Sequence, residues 1–372
     1  MRNFVRGFFA VFKKEAIHMR RDKGTLRLAL GIPLFQLILF GSIDTNVKHV
    51  PTVVFDQCRC PESRALIDEL VATRTFKVVR MAESRAALRE TIVAGEAKVG
   101  LEIPPDYGRH RLEGTSATFL ALIDGSDNTV ASQALAAIDG LALTQSLQEL
   151  QRRLRVSELP VTPRPQVLFN PDTRSANLLI PGLVAILLTF SGTMLTAYAI
   201  VRERERGTLE QLMVTPVSSL ELILGKLVPY LVLAFCQLVL VVFLMTTLFR
   251  VPIHGSVLLL AALSLIYLTS LLSLGLMISA RATTQIEATQ AAQGILLPSI
   301  MLSGYIFPLS SLPGPLRLLA HALPATHFIA ISRGIIIRGA GFHDLIGEVA
   351  SLAIISTVLL TASLILFKRN RL

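Results

Sequence analysis

Paired charges crowd one short segment of the chain, between two long apolar runs. Residues 202–216 read Arg-Glu-Arg-Glu-Arg-Gly-Thr-Leu-Glu-Gln-Leu-Met-Val-Thr-Pro. Helical pairs such as Arg206 with Glu210 contribute only about 0.2–0.5 kcal/mol each, so local pairing does not explain this concentration of charge. A block of this kind is typical of a docking surface for another protein, the alternative being a solvated loop.

The same segment also predicts its own backbone shape. Gly207 costs roughly 1 kcal/mol relative to alanine inside a helix, which favours a sharp turn between two helices. Thr208 and Gln211 fit a capping box that restarts the helix, and Pro216 ends that piece. We therefore expect a helix, a turn and a short helix.

The remaining polar residues do not predict catalysis. Leu224-Gly-Lys226 lacks the upstream glycine and the following Ser or Thr of a phosphate-binding loop. Residues 124–128 read as a turn followed by a helix N-cap. Neither a Ser/His/Asp arrangement nor a His-rich metal spacing can be assembled, so we predict no catalytic residue, no metal site and no cofactor on this chain.

The composition predicts an integral membrane protein. Hydrophobic residues make up 52% of the 372 positions and charged residues 17%, against about 25% charged in average soluble chains. A helix needs roughly 20 apolar residues to cross a bilayer. We predict an α-helical polytopic protein with six transmembrane helices, the first of them a short, uncleaved anchor: 28–43, 178–201, 227–248, 257–280, 288–309 and 345–367.

The basic residues predict the orientation of these helices. The net charge of +10 would suggest nucleic acid in a soluble protein, but here the charge sorts by topology. Lys and Arg gather at both termini and near residues 202–226 and 281, whereas the alternate short loops hold only Arg250, Arg317, Arg333 and Arg338. The positive-inside rule then places both termini and the 202–221 loop in the cytoplasm, with no nucleic-acid partner needed.

Residues 1–27 predict an amphipathic helix lying on the inner membrane surface. Phe4, Phe8 and Phe12 recur at helical spacing, and Lys14 lies beside Glu15 among the polar residues. This helix would anchor the first span, with membrane lipids as partners. Whether it also transmits force is left open.

Residues 44–176 predict an inserted α/β domain on the outer side of the membrane, large enough to bury its own core. The expected strands are 50–55, 76–80, 98–103 and 117–123, with a last strand at Gln166–Phe169; the expected helices are 61–73, 82–95 and 128–155. Cys58 and Cys60 are expected as free thiols, because a bond between them would close a tight, strained ring. The domain is expected to bind or to assemble.

Two regions of the membrane part depart from simple spans. Residues 310–344 are broken by Pro and Gly and carry buried charges that a span would not tolerate, so we predict short re-entrant helices near the outer leaflet. In the fifth span, Pro298 cannot donate to the carbonyl of Gly294 and should kink the helix. Ala288 and Ala292 form a small-residue pair that lets another helix approach closely.

Polar and flexible residues in the spans are candidates for a translocation path. Gln290 and Gln293 should face protein or a cavity, where hydrogen bonding to neighbouring helices is at least as plausible a role as contact with a substrate. The other candidates are Ser191, Thr193, Met194, Met301, Ser303 and Tyr305. Methionine adapts to varied apolar shapes, which suits a permissive pocket and equally suits core packing.

The charged segment and several other stretches resemble the ABC-2 type transporter permeases of the bacterial drug-efflux-like branch. The matching stretches cover nearly the whole chain: 14–15, 21–22, 33–41, 170–175, 179–182, 202–226, 302–308, 323–324 and 332–334. The resemblance implies a transport subunit, not an enzyme, in a bacterial inner membrane. It would pair with a second permease subunit, identical or different, and with a separate ATPase subunit that holds ATP and Mg.

The resemblance also implies residue roles. The contact with the ATPase would be made by Glu203, Arg204, Arg206, Gly207, Thr208, Glu210, Gln211, Leu212 and Met213. The cargo would be an amphipathic or hydrophobic compound, since the spans offer few charges. The outer domain would gather substrate or dock a periplasmic adaptor protein, and the sequence favours neither.

Two other classes of function stay open. An ion-coupled secondary transporter would need acidic residues within its spans, and Glu287 and Glu348 lie only at span ends. A membrane-anchored sensor or assembly scaffold would use the outer domain alone. Replacing Glu203 and Arg206 should be tolerated by either of them.

Overall fold

The computed structural model describes residues 2–43, 47–154, 166–207 and 218–369. Thr208, Glu210, Gln211, Leu212 and Met213 lie outside these residues. The chain separates into two compact units. Residues 45–166 form the sheet unit, and residues 1–44 with 167–372 form the helical unit.

The sheet unit contains a four-stranded sheet in the order β2-β1-β3-β4. Strand β1 pairs in parallel with β2 and β3, whereas β4 runs antiparallel to β3. Both faces of the sheet are covered, because side chains of its two central strands are fully buried: Val53, Val54, Leu101 and Ile103. The elements are β1 Val50–Asp56, α3 Pro61–Ala72, β2 Phe76–Met81, α4 Arg85–Val93, β3 Val99–Ile103, α5 Tyr107–Glu113, β4 Leu120–Ile123 and α6 Asn128–Leu154.

Two expectations for this part of the chain are wrong. Gln166–Phe169 is not a strand: Phe169 has φ of 68°, a left-handed conformation that interrupts extended backbone. Cys58 and Cys60 are not free thiols but form a disulfide with Cα atoms 5.1 Å apart. The residue between them, Arg59, takes φ of 52°, and this turn brings the two sulfurs together.

The helical unit is built from long apolar helices and a pair of short ones. Within the described residues, four helices are long and apolar enough to cross a membrane, and Ala29–Gly41 is a shorter apolar stretch. The helices are α1 Arg2–Arg21, α2 Lys23–Gly41, α7 Ser175–Glu205, α8 Ser219–Thr247, α9 Val257–Arg281, α10 Gln285–Leu302, α11 Gly314–His321, α12 Pro324–Ile336 and α13 Ile346–Arg369.

Helix α7 is the core element of this unit and is buried along most of its length. Tyr267 of α9 donates a hydrogen bond to the Ala185 carbonyl of α7 at 2.9 Å and stacks on Phe328 at 4.2 Å between ring centroids. Gly275 permits the close approach of α9, because a Cβ there would lie 2.4 Å from the Thr193 carbonyl oxygen. The tight packing fixes α7 relative to its neighbours.

The segment 310–344 folds into the two short helices α11 and α12, and α12 is buried against the core. Arg333 of α12 donates to the carbonyls of Gly304 and Tyr305 at 2.9 and 3.1 Å. Short helices agree with the break in the apolar pattern, whereas their depth in a membrane stays a prediction.

Candidate functional site

Four charged side chains from three helices meet where α7 ends. We call Lys14, Glu15, Glu203 and Lys226 the basal cluster. Lys14 and Lys226 each form an ion pair with Glu203. Glu15 completes the group, with Oε1 3.3 Å from Lys14 Nζ and 3.6 Å from Lys226 Nζ. Two ammonium groups thus face two carboxylates.

Burial makes this pairing necessary. The side chains of Glu15 and Lys226 are each 3% exposed and that of Glu203 is 12% exposed. Removing one partner of a buried ion pair costs about 3–5 kcal/mol, because a charge is left uncompensated. At Lys14 burial works against the ammonium, but the hydrogen bond to Glu203 and the nearby Glu15 carboxylate outweigh it and raise the pKa of Lys14.

Close helix packing brings the cluster together. A Cβ at Gly225 of α8 would lie 2.8 Å from Val11 Cβ and 3.1 Å from the Phe8 carbonyl oxygen of α1. A Cβ at Gly7 would lie 2.8 Å from the carboxylate of Glu221. Two glycines, one on each helix, therefore let α1 pack directly against the beginning of α8.

The beginning of α8 is fixed by its own cap. The Ser218 N–H donates to Glu221 Oε2 at 2.6 Å, and the Glu221 N–H donates to Ser218 Oγ at 3.4 Å. This capping box satisfies two backbone donors and fixes the start of α8, about two turns before Lys226. The local sequence of α8 thereby sets the position of the buried lysine.

The end of α7 is attached to its neighbours on further sides. Arg202 pairs with Asp22, which lies between α1 and α2. Arg204 donates to the Ala282 carbonyl at 2.6 Å, and Glu205 accepts from the Gln285 N–H at 2.7 Å. The last turn of α7 is thus linked to α8, to α1 and to the α9–α10 connection.

Helix α7 ends in the turn that the sequence predicts. Arg206 is the C-cap residue, and Gly207 follows with φ of 68°, a left-handed conformation suited to glycine. Both residues are exposed. The turn is therefore accessible, whereas Glu15, Glu203 and Lys226 of the basal cluster are buried.

The structure separates the predicted docking residues into two groups. Glu203 is buried and Arg204 is half-buried. The carboxylate of Glu203 pairs with Lys226, and the guanidinium of Arg204 donates to the Ala282 carbonyl. In this arrangement their charged groups are held within the chain, and direct contact of either residue with another protein stays a prediction. Arg206 and Gly207 remain available at the surface.

The amphipathic helix predicted over residues 1–27 is present as α1, which ends at Arg21, whereas its place on a membrane surface stays a prediction. The rings of Phe8 and Phe12 stack at 6.1 Å between centroids, and Phe9 is 58% exposed beside them. The side chain of Phe4 lies outside the described residues. Lys14 and Glu15 instead join the basal cluster, with the side chain of Glu15 buried and that of Lys14 44% exposed.

Helix α10 contains the predicted packing pair. Ala288 is buried in a cluster with Ala197 and Val201 of α7, and Ala292 is buried as well. Pro298 lies inside the helix, and a Cβ at Gly294 would meet nothing within 4 Å. The alanines let α10 approach α7, as expected of small residues.

The candidate path residues do not converge on one cavity. Ser191 and Met194 line an apolar cavity of about 140 Å³ between α2 and α7, together with Ala29, Ile32, Pro33, Phe190, Leu195 and Tyr198. Thr193 and Ser303 are buried, and Tyr305 packs beside Gly182. Gln290, Gln293 and Met301 are exposed on α10. The two glutamines therefore do not face another part of this chain.

Sequence reasoning missed the partners that hold the cluster. The sequence assigned Lys226 to the topogenic charges, to a rejected phosphate-binding loop and to a stretch of family resemblance, and it assigned Asp22 to such a stretch alone. Their partners lie 23 and 180 residues away along the chain. A lysine placed within the apolar run 222–248, about two turns after the N-cap residue Ser218, is the signal that could have identified Lys226.

The apolar helices, their long buried core and a charged end define a multi-pass membrane protein. The chain belongs to the ABC-2 family of transporters: the family described as ABC-2 family transporter protein matches residues 23–365. Membership implies an ABC ATPase as partner and a transport subunit as the class of protein.

Relatives of similar length carry permease names. Probable multidrug ABC transporter permease YbhS of Escherichia coli (strain K12) is 29% identical over 366 residues, covering 96% of this chain and 93% of the relative. YbhR, of the same description and strain, is 27% identical and covers 97% and 98%. Inner membrane transport permease YhhJ is 29% identical over 74% of each chain.

Proposed function

We propose that this chain is the membrane subunit of an ABC exporter that moves amphipathic or hydrophobic compounds outward across an inner membrane. A separate ATPase subunit would bind and hydrolyse ATP with Mg. The proposal includes six membrane-spanning helices, with α2 and α10 as the short ones, and both termini in the cytoplasm. The sheet unit would then lie in the periplasm.

The basal cluster is the observation that carries this proposal. It joins α1, α7 and α8 through buried charges immediately before an exposed turn. A push on Arg206 and Gly207 would act on the end of α7. Glu203 links this end to α1 and α8, and Arg204 and Glu205 link it to the α9–α10 connection. Stability alone does not require such a cluster, since apolar residues of similar volume are often as stabilising.

The roles of the predicted docking residues follow from their exposure. Arg206 and Gly207 would contact the ATPase, together with Thr208, Glu210, Gln211, Leu212 and Met213, which lie outside the described residues. Glu203 and Arg204 would act as positioning residues that hold the turn. The predicted docking residues are thereby divided into those that would contact the ATPase and those that would hold the contacting turn in place.

A second permease subunit, identical or different, is part of the proposal. The cavity between α2 and α7 measures about 140 Å³, less than the roughly 300–1,000 Å³ of sites for drug-sized ligands. This cavity by itself is therefore too small to enclose such a cargo, and a second subunit would supply the missing walls. The exposed Gln290, Gln293 and Met301 on α10 would complete the path at the contact with the second subunit.

Ion-coupled transport is the second candidate function. It would need acidic residues in the spans, but the two nearest carboxylates, Glu287 and Glu348, make structural contacts. Glu287 accepts from the Thr283 N–H at 2.8 Å and so caps the start of α10. Glu348 Oε2 lies 2.7 Å from His327 Nδ1, at the opposite end of the helical unit from the basal cluster. These contacts favour structural roles, and the ATPase-driven exporter remains the better-supported function.

Co-purification tests the proposal. The chain is isolated from its membrane in mild detergent, and bound ATPase and ATP hydrolysis are measured for the wild type, Arg206→Glu and Arg250→Glu. Arg206→Glu should lose the ATPase, because it reverses charge on the exposed turn. Arg250→Glu should retain it, since Arg250 follows the opposite end of α8. Failure to recover an ATPase with any of the three would contradict the exporter and favour the ion-coupled or scaffold function.

A further inference from the structure

The Cys58–Cys60 disulfide of the sheet unit has no part in the proposed transport machinery. It joins two cysteines separated by one residue, directly after β1. Cys60 is also the N-cap residue of α3, a helix of 12 residues. The bond therefore lies between a strand end and a helix start.

The bond closes too small a ring to act as a staple. A disulfide stabilises a fold mainly by restricting the unfolded chain, and this effect grows with the length of the closed loop. Here a single residue lies within the loop. That residue, Arg59, is held at φ of 52°, a left-handed conformation that a non-glycine residue seldom adopts. Disulfides that are strained or exposed are the labile ones, with chemical roles.

The surrounding hydrogen bonds hold the two cysteines in place without the covalent bond. Asp56 accepts from the Arg59 N–H at 3.0 Å through Oδ1 and from the Ser63 hydroxyl at 2.7 Å through Oδ2. The Ser63 hydroxyl also lies 2.9 Å from the Cys60 carbonyl oxygen. This frame does not use sulfur, so it should keep the two thiols adjacent after reduction and allow the bond to form again.

The disulfide packs on one side against the buried Gly108, and both cysteines are partly exposed. A Cβ at Gly108 would lie 2.7 Å from Cys60 Sγ and 3.1 Å from Cys58 Sγ. A larger residue would therefore crowd the disulfide. A small thiol would have to approach the pair from the side on which the two cysteines are partly exposed.

We propose that Cys58–Cys60 is a thiol–disulfide exchange site for thiols of low molecular mass. A thiolate attacks Cys58 Sγ, the S–S bond breaks, and its electron pair leaves on Cys60 Sγ. A second thiolate then attacks the mixed disulfide at the sulfur of the first thiol, which releases Cys58 as a thiolate. Each cysteine thiolate takes up one proton, so two thiols are oxidised to one small disulfide and the pair is reduced to two thiols.

Cys60 is assigned as the leaving sulfur because of its place in the fold. A helix N-terminus stabilises a thiolate, and thiolates of lower pKa leave faster. Cys58 has no such position and would carry the mixed disulfide. The site does not depend on the transport function, so its test and the ATPase test fail separately.

Glutathione is a suitable probe for the full chain in detergent. Cys236 is replaced by serine, because it is a free, exposed cysteine. The protein is incubated without denaturant in mixtures of reduced and oxidised glutathione, quenched with acid, alkylated and weighed intact. We expect reduction by glutathione alone in the folded protein. A pair that stays oxidised in excess reduced glutathione, and opens only after denaturation, would overturn the proposal.

Serine variants test the direction of exchange. With oxidised glutathione, Cys60→Ser should gain one glutathione on Cys58, and the Cys58→Ser/Cys60→Ser double variant should show complete loss of the adduct. No adduct on Cys58 in a folded Cys60→Ser variant would also overturn the proposal. Preferential modification of Cys60 in Cys58→Ser would overturn the assignment of the leaving sulfur.

Discussion

The basal cluster and the ion pairs of the sheet unit use the same residue types in opposite surroundings. Lys226 and Glu203 have side chains 3% and 12% exposed. Lys98 and Asp124 are 35% and 18% exposed, and Arg80 and Glu96 are 58% and 61% exposed. Water screens the exposed charges, whereas the buried ones depend on each other. The comparison separates charges that must be paired within the protein from charges that water can screen.

The largest expected effect is the loss of charge at Glu203. Glu203→Gln leaves Lys226 with Glu15 as its remaining acidic partner in the cluster, 3.6 Å away. We expect a loss of about 3–5 kcal/mol in the free energy of unfolding, seen as aggregation at lower temperature in detergent. Glu205→Gln is the matched control at the same end of α7, where the carboxylate is exposed. Equal losses from both variants would remove the distinction between buried and exposed charge.

The packing beneath the cluster gives the next effect. Gly225→Ala places a methyl group 2.8 Å from Val11 Cβ, and overpacking of this kind costs about 1–3 kcal/mol. Gly294→Ala is the control, because a Cβ there meets nothing within 4 Å. Alanine in that helix should stabilise by up to about 1 kcal/mol. Thermal aggregation of the two variants should therefore shift in opposite directions.

A smaller effect is expected at the Lys98–Asp124 pair of the sheet unit. The hydrogen bond from Lys98 holds the pKa of Asp124 well below its usual range. The pair therefore contributes stability at pH above the ordinary pKa of an aspartate, and this contribution is lost as the pH falls through the lowered value. Lys98→Ala should destabilise β3 and β4 at pH 7 and make them less sensitive to acid. Hydrogen exchange of strand peptides at pH 7 and at about pH 2.5, below the ordinary pKa of an aspartate, measures both.

The smallest effect is expected at Arg80. Its guanidinium lies 3.5 Å from Glu96, and both side chains are more than half exposed. Arg80→Ala should change the stability of the sheet by no more than about 0.5 kcal/mol. Hydrogen exchange in β2 that accelerates as much as in Lys98→Ala would show that exposure does not rank these pairs.

Local sequence predicted elements better than it predicted partners. The apolar runs identified α7, α8, α9 and α13, and the glycine after the charge block identified the turn at Gly207. These signals depend on neighbouring residues. The sequence predicts Glu203 on a surface, whereas in the structure it is buried and paired with Lys14 and Lys226. These two partners lie 189 and 23 residues away in the chain. No local pattern encodes that meeting.

The errors in the sheet unit have a related cause. Gln166–Phe169 reads as a strand by composition, but the left-handed Phe169 interrupts it. The strain expected in a Cys58–Cys60 ring argued for free thiols, yet Asp56 and Ser63 hold the turn in which the ring closes. In both cases the backbone conformation at one residue decided the outcome.

A double variant tests most directly whether the basal cluster couples the turn to the helices. Glu203→Gln/Lys226→Met removes one charge of each sign and leaves Lys14 and Glu15, 3.3 Å apart, as a balanced pair. ATP hydrolysis and cargo export are measured for the reconstituted complex. We predict a stable protein that still binds its ATPase but no longer exports. Export at the wild-type rate by this variant would contradict the account.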